Sequence, residues 1–568
     1  MTKNIFKLIV VLMVICGSVS AQEKKGEILF KAMQDELDRN MKSLSLPGME
    51  RPCFIEYSIT EGKSLMMAAS LGSVYYSSEN PLSRGISIKV LVGNYHRTNE
   101  LRYENRRFPG QGSGSMSTTI DDNYGQLRRD LWRQTDVAYK YAAEEYIRKT
   151  AALKTKSLAP EDTLLDDFTK VVPVNKIIAS NNIVVDKVSL SHTIEELSAI
   201  FKDYPDIEAS EVMARASSND VYIVNSEISK YCIPNNMLTI DVSAACRADG
   251  KVTMDKMSVC VLQQKDLPSL DELKSQYRAF ADKLIALKSA QSIKENYSGP
   301  VLFEGSAVAS LFEKELFSNA GVYATREPAQ GTGNTTLQDN MDSKVVSNEF
   351  TVKSLPFLKE YDGKKLIGNF EMDVDGVVPE KELTLVEGGI LKHVIGSRTP
   401  SKYNNTPTGY FRAGTYTDQL EAMLCPGVVD ISTSRGVSSD SLKHLLIRAA
   451  VENGSKFAYI VRKLESSSGY GNGAVSPTYL YKVNVADGSE EPVRDAEIKE
   501  LRKGILKLVS GSSNNKIVIN TTLSSSYPVT FICPDAVLLP DLDLGLRKNI
   551  QKTPPTVVSN PLKDKSPL

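Results

Sequence analysis

Tyr297-Ser298-Gly299-Pro300-Val301-Leu302-Phe303-Glu304-Gly305-Ser306-Ala307-Val308-Ala309-Ser310-Leu311-Phe312 reads as a strand, a turn and a helix that starts near Ser306. The polar run from Ser292 to Gly299 just before it predicts a domain boundary. Upstream, Ser269 to Ala290 is a helix. Pro268 precedes it, Ser269 and Glu272 form a capping box, and Leu273, Tyr277, Phe280, Leu284 and Leu287 recur every three or four residues. A block of strands from about Ile207 to Gln263 leads into it.

Nearer the start, Ile28, Leu29, Ala32, Met33, Leu37 and Met41 repeat at helical spacing and Pro47-Gly48 closes that segment. From Cys53 to about Glu100, short runs rich in Ile, Val, Tyr and Ser predict hairpin-connected strands that turn at Glu61-Gly62, Asn80-Pro81 and Gly93-Asn94. The Gly110 to Gly114 run opens no helix directly after a strand, so it reads as a loop and not as a phosphate cradle. Asp121 and Asp122 are placed to cap a long helix with Leu127, Leu131, Thr135, Ala138, Ala142 and Tyr146 on one stripe. After residue 312 the chain is strand-rich with a few helices, interrupted by loops at Gln330 to Asp342 and around Gly469 to Gly473. The fold class expected is α+β: a mixed α/β region over 22–291 and a strand-rich domain over 292–546, with a disordered tail over 547–568.

At the amino end, Lys3 and Lys7 precede an apolar run from Leu8 to Cys16 that ends in Gly17-Ser18-Val19-Ser20-Ala21. This is the pattern of a cleavable secretory signal, cut after Ala21, and it is too short to span a bilayer. The expected destination is the periplasm or the exterior. The chain carries 68 Lys and Arg against 69 Asp and Glu. Cleavage removes two lysines, leaving 66 against 69, and such a balance excludes nucleic acid or an anionic membrane as an electrostatic partner.

Catalytic groups are sparse. The four histidines, His96, His192, His393 and His444, never fall within a helical turn of one another, whereas a helix-borne zinc site needs two on one face. No Gly-x-Ser-x-Gly elbow is present. Six cysteines follow the signal without tight ligand spacing; Cys232, Cys246 and Cys260 allow a disulfide or stand as buried thiols. Glu371, Asp373 and Asp375 alternate with Phe370, Met372 and Val374, the pattern of a half-buried strand, while Asp375-Gly376 is turn chemistry.

The opening stretch resembles the central signature of the TldD/PmbA peptidases, two-subunit enzymes in which one subunit is catalytic and its paralogue is not. The resemblance continues at Asp375-Gly376-Val377-Val378-Pro379, at Leu385-Val386-Glu387-Gly388-Gly389-Ile390-Leu391-Lys392, and at Arg398. Gly409 and Arg412 then fall where the family carries glycine and arginine, as structural or cleft residues. Catalytic members carry His-Glu-x-x-x-His on the helix after the Pro-Val-Leu strand. Here Glu313 and Ser318 stand at the histidine positions and Lys314 at that of the base. The family's cysteine ligand has no counterpart near Asn520 and Thr521, and Cys533 comes about a dozen residues too late.

The resemblance therefore implies a catalytically silent subunit with no catalytic or metal-binding residues and no cofactor, which pairs with a histidine-bearing TldD-like paralogue or with itself and handles extended peptides. Two alternatives stand beside it. One is an active metallopeptidase holding zinc through altered ligands such as Glu313. The other is a cell-envelope peptide-binding protein without a peptidase partner. Glu313 and Glu315 also suit a hard cation, although Lys314 between them reads more simply as part of a solvated patch.

Overall fold

The computed structural model describes residues 26–547 apart from 101–115, 156–162, 179–182, 319–320, 327–336, 417–418, 466–474, 500 and 502, together with 554, 558 and 560–563. The signal segment, the Gly110 and Gly469 loops, the first part of the 330–342 loop and most of the tail lie outside the described residues.

Two long strands, β1 (Pro52–Ser70) and β2 (Ser73–Val92), pair antiparallel. Leu71 and Gly72, both at positive φ, make the two-residue turn between them, the connection whose twist suits a hairpin. The turns expected at Glu61-Gly62 and Asn80-Pro81 are instead strand interior. Gly62 pairs with Ser83 and Ser64 with Asn80, so β2 carries one extra residue there, and Pro81 sits in that bulge. Gly62 is needed for a close approach, because a Cβ on it would lie 2.2 Å from Asn219 Oδ1.

Three further strands, β3 (Ile207–Asn225), β4 (Lys230–Ala248) and β5 (Lys251–Val261), extend this sheet in the antiparallel order β2-β1-β3-β4-β5. Residues 175–177 pair with the start of β4 on the same edge as β5. Strand side chains alternate between faces. Ile55, Tyr57 and Ile59 pack under the helices at 26–43 (α1) and Tyr124–Thr155 (α2), while Leu65, Met67 and Ala69 pack under Lys187–Ala199 (α3) and Leu270–Ser289 (α4). Asn123, not Asp121 or Asp122, caps α2, its Oδ1 accepting from Gln126 N at 3.0 Å; Asp122 pairs with Arg84. The capping box of α4 forms as expected from Ser269 and Glu272. Cys232, Cys246 and Cys260 are separate buried thiols.

The strand-rich part holds two larger sheets. One contains β6 (Tyr297–Glu304), which turns at Gly305 (φ +61) directly into α5 (Ser306–Leu316). The other includes β7 (Phe350–Ser354) and β8 (Leu383–Glu387). A short strand, β9 (Phe411–Ala413), follows, then β10 (Val428–Thr433) of the second sheet and α6 (Ser439–Glu452). Strands β11 (Phe457–Leu464) and β12 (Pro477–Asn484) join β6, with β11 parallel to it. β13 (Lys516–Leu523) is the edge strand of the second sheet, paired with β14 (Tyr527–Pro534), and β15 (Ala536–Leu546) flanks β6. Val301 and Phe303 of β6 face α5 and the second sheet, whereas Leu302, one residue between them, faces α6.

The helix-free face of the first sheet meets this strand-rich part. Glu56, Ser58 and Thr60 lie on that face and are buried. The main fastening is Arg398, 1% exposed, whose Nη2 donates to both Glu227 carboxylate oxygens at 2.7 and 2.8 Å and whose Nε donates to Thr169 O at 2.8 Å. Its guanidinium lies 4.0 Å from the centroid of Phe168 and 5.0 Å from that of Phe54. Removing one partner of a buried ion pair leaves the other uncompensated, so Arg398→Ala is expected to lower unfolding stability by about 3–5 kcal/mol. The double variant Arg398→Met with Glu227→Gln is expected to lose markedly less. Urea unfolding of both proteins measures this, and equal losses would contradict it.

Candidate functional site: a cavity between the sheets

A cavity of about 2180 Å³ lies between the first sheet and the strand-rich part. β3, β4, β5 and α4 supply one wall; the segments 363–374 and 412–413 and the edge strand β13 supply the other. Among the described residues both β5 and β13 end their sheets, so each brings an unpaired strand edge to this space. Asn520 and Thr521, where the resemblance expects the missing cysteine, line it, as do Asp373, Arg412 and Ser306 of the first turn of α5.

The stretch 370–376 is not the strand its alternation predicts. It is a tight turn wound around Asp373, whose Oδ1 accepts from the backbone N of Asp375 (3.0 Å) and Val377 (2.9 Å) and whose Oδ2 accepts from Phe411 N at 3.0 Å. A carboxylate that collects nearby amide protons offers the backbone an alternative to the sheet ladder. The three acids accordingly part company: Glu371 faces Lys176 and Lys359 at the surface, whereas Asp373 and Asp375 are buried. Gly376 holds φ +77, and a Cβ there would sit 3.1 Å from the ring of Tyr231. Gly409, at φ +82, approaches Pro379, where a Cβ would lie 2.8 Å from its nitrogen.

Asp375 belongs to a charged group with buried Glu56 of β1 and Arg398 and with half-buried Lys89 of β2 and Glu100. Burial raises the Asp375 carboxyl against the pull of Lys89 and Arg398. Burial also pushes Glu56 up to about 7, with the charge of Asp375 adding to it. For Lys89, burial opposes the charged form, but Glu100, Asp375 and Glu56 outweigh it and hold its pKa above the usual value. Glu56, Lys89 and Glu227 escaped the sequence reading. The available signal was a lone charge inside an apolar strand, as in Phe54-Ile55-Glu56-Tyr57.

Glu313, Lys314 and Ser318 sit on and just beyond the last turn of α5, half-buried and outside the residues that line the cavity. This is not the solvated patch expected there. Burial raises the Glu313 carboxyl and lowers the Lys314 amine, and Glu315 accepts from Gly504 N at 2.6 Å. Zinc does not fit this donor set: an ammonium adjoins the lone carboxyl, and among the described residues no three of His, Cys, Asp and Glu converge. The four histidines are exposed on separate segments, and the Cys533 thiol is buried and pushed up to about 12.

Residues 296–544 match the sequence model of the PmbA/TldA metallopeptidase C-terminal domain. That stretch is a PmbA/TldD-family domain. The whole described fold is similar to TldE from Thermococcus kodakarensis, at 13% identity and a TM-score of 0.57 over 90% of this chain and 100% of that one. It is also similar to two proteins named as candidate DNA gyrase modulators. The one from Thermotoga maritima has 14% identity and a TM-score of 0.56, covering 87% of this chain and 96% of its own. The one from Bacteroides thetaiotaomicron has 12% identity and a TM-score of 0.56, covering 91% of this chain and 98% of its own. No curated protein matches the chain.

The PmbA/TldD domain thus supplies Asp375 and Arg398 to the buried group, and the preceding sheet supplies Glu56 and Lys89. Glu56 makes the joint pH-dependent. Its folded pKa, about 7, lies above the ordinary 4.5, so between these values the unfolded chain has released a proton that the folded chain keeps, and stability falls as pH rises through that window. Glu56→Gln removes the contribution. The stability of this variant relative to wild type is expected to increase by about 2–3 kcal/mol from pH 5 to pH 8 and to level off above pH 7. Thermal or urea unfolding across that range checks it; a difference that does not change with pH would refute it.

Proposed function

We propose that this chain is the exported, catalytically silent subunit of a TldD/PmbA-type peptidase. Its cavity holds extended peptides, and a histidine-bearing TldD-like paralogue or a second copy of the chain completes the assembly. The observation that carries the reading is the cavity bounded by the open edges of β5 and β13. An extended peptide adds to such an edge through main-chain hydrogen bonds. Glu313, Lys314 and Ser318 at the family's metal-site positions support silence. The lysine-flanked apolar leader supports export to the periplasm or the exterior. The TldE name of a similar fold supports a two-subunit assembly.

Metal content of the mature protein, purified from the envelope fraction after a light chelator wash, is the first test. Less than about a tenth of an equivalent of zinc is expected, since a structural or catalytic zinc site requires a set of nitrogen, sulfur or carboxylate ligands, and no such cluster forms among the described residues. Mass spectrometry of the same sample is expected to find an amino terminus at Gln22, and co-purification a histidine-bearing partner. Near one equivalent of zinc, lost together with peptidase activity in Glu313→Gln, would instead establish the second reading, an active enzyme with altered ligands.

A further inference from the structure

Five arginines are nearly buried among the described residues, and four of them meet an acid: Arg84 pairs with Glu61, Arg326 with Asp167, Arg398 with Glu227 and Arg494 with Asp249 and Asp495. Arg412, 8% exposed, meets none. Its Nη1 donates to Pro528 O at 2.7 Å and lies 3.6 Å from Cys425 Sγ, and its guanidinium carbon stands 4.4 Å from the centroid of Phe370. These contacts hold one corner and one face of the group in place. Nε and Nη2 have no hydrogen-bond partner among the described residues, and the residue lines the cavity.

A buried charge left unpaired is costly, and a guanidinium presents a planar fork that matches a carboxylate in bidentate fashion. The rest of the cavity has the same preference. Eleven lysines and arginines line it against seven aspartates and glutamates, an excess of four, in a chain whose net charge is −1. Lys256, Lys265, Lys283 and Lys364 on its walls are exposed and form no ion pair with a described residue. Like charges gathered in a cleft draw in ligands of the opposite sign.

We propose that Arg412 is a carboxylate-binding subsite of the cavity, so that the peptides held there are anionic and anchored through a free C-terminus or an Asp or Glu side chain. The proposal rests on the peptide reading above and adds a preference that main-chain pairing alone does not give. Asp373 does not pair with this arginine; its carboxylate accepts instead from three backbone amides.

The test is fluorescence anisotropy on the full mature chain with three labelled hexapeptides: a neutral amidated one, the same peptide with a free C-terminus, and an amidated one carrying a single internal Glu. At least one carboxylate-bearing peptide is expected to bind ten-fold or more tightly than the neutral one, and which of them does so identifies the source of the carboxylate. Arg412→Gln is expected to abolish the difference. Should that variant fold poorly, competition by succinate on the wild type replaces it and is expected to displace the carboxylate-bearing peptide selectively. Equal binding of all three peptides to the wild type overturns the subsite and leaves the peptide reading standing. Absence of any peptide binding, with succinate still raising the melting temperature of the wild type but not of an Arg412→Lys variant, leaves the subsite standing and overturns the peptide reading. If neither peptides nor succinate bind, both fall.

Discussion

The arrangement depends on where one buried positive charge finds its counter-charge. Arg398 comes from the strand-rich part and Glu227 from the turn between β3 and β4, and their bidentate pairing closes a site walled by Phe54 and Phe168. Four chain segments that are far apart in sequence meet around one guanidinium. Asp375 lies within reach of the same charge, so the turn that contains it is fixed against the first sheet, and Tyr231 of β4 reinforces the contact by donating to Val374 O at 2.9 Å. Phe370 to Val374 of the same turn line the cavity, and Phe370 is the ring on which Arg412 rests. The geometry of the cavity is thus set from a joint that lies outside it.

Elements governed by local rules were legible in the sequence. The helix α4 follows from a cap, a capping-box glutamate and an apolar repeat, all within twenty residues, and β6-Gly305-α5 from an apolar strand, a glycine turn and an apolar repeat. The hairpin β1-β2 was misread because glycine and proline have two uses. At Gly62 and Pro81 they serve a close approach and a bulge inside long strands, while the true turn uses Leu71-Gly72. Alternation misled at 370–376 for a related reason. Period-two spacing reports a strand only when the backbone groups pair with a neighbour, and here the carboxylate of Asp373 takes them.

The site was less legible than the fold because it is made of non-local pairs. Gly376, Gly409 and Arg412 stood out as residues worth attention, and each has a physical reason visible only in three dimensions: the ring of Tyr231, the backbone of Pro379, and a buried position without an acid. Glu56 and Lys89 are register partners across β1 and β2, a relation that the misplaced turns concealed. The charge excess of the cavity could not be read at all, since its lysines come from residues 175–177, β5, the 264–266 turn, α4, the 359–365 segment and β11, and only the folded chain gathers them.

Helix α5, whose last turn carries Glu313 and Lys314, is held by its apolar face. Leu311, Phe312 and Leu316 of α5 are buried in the core between the two larger sheets, with Phe312 edge-on to Phe350 at 5.2 Å between centroids. Apolar burial of this kind stabilises by roughly 1.5–3 kcal/mol per large side chain, so the helix stays in place through residues other than 313, 314 and 318. Those three are half-buried on and just beyond its last turn, where Glu315 is tied to the backbone at Gly504. Residues 313, 314 and 318 lie outside the cavity lining, so its walls, the two strand edges and Arg412 do not depend on their side chains.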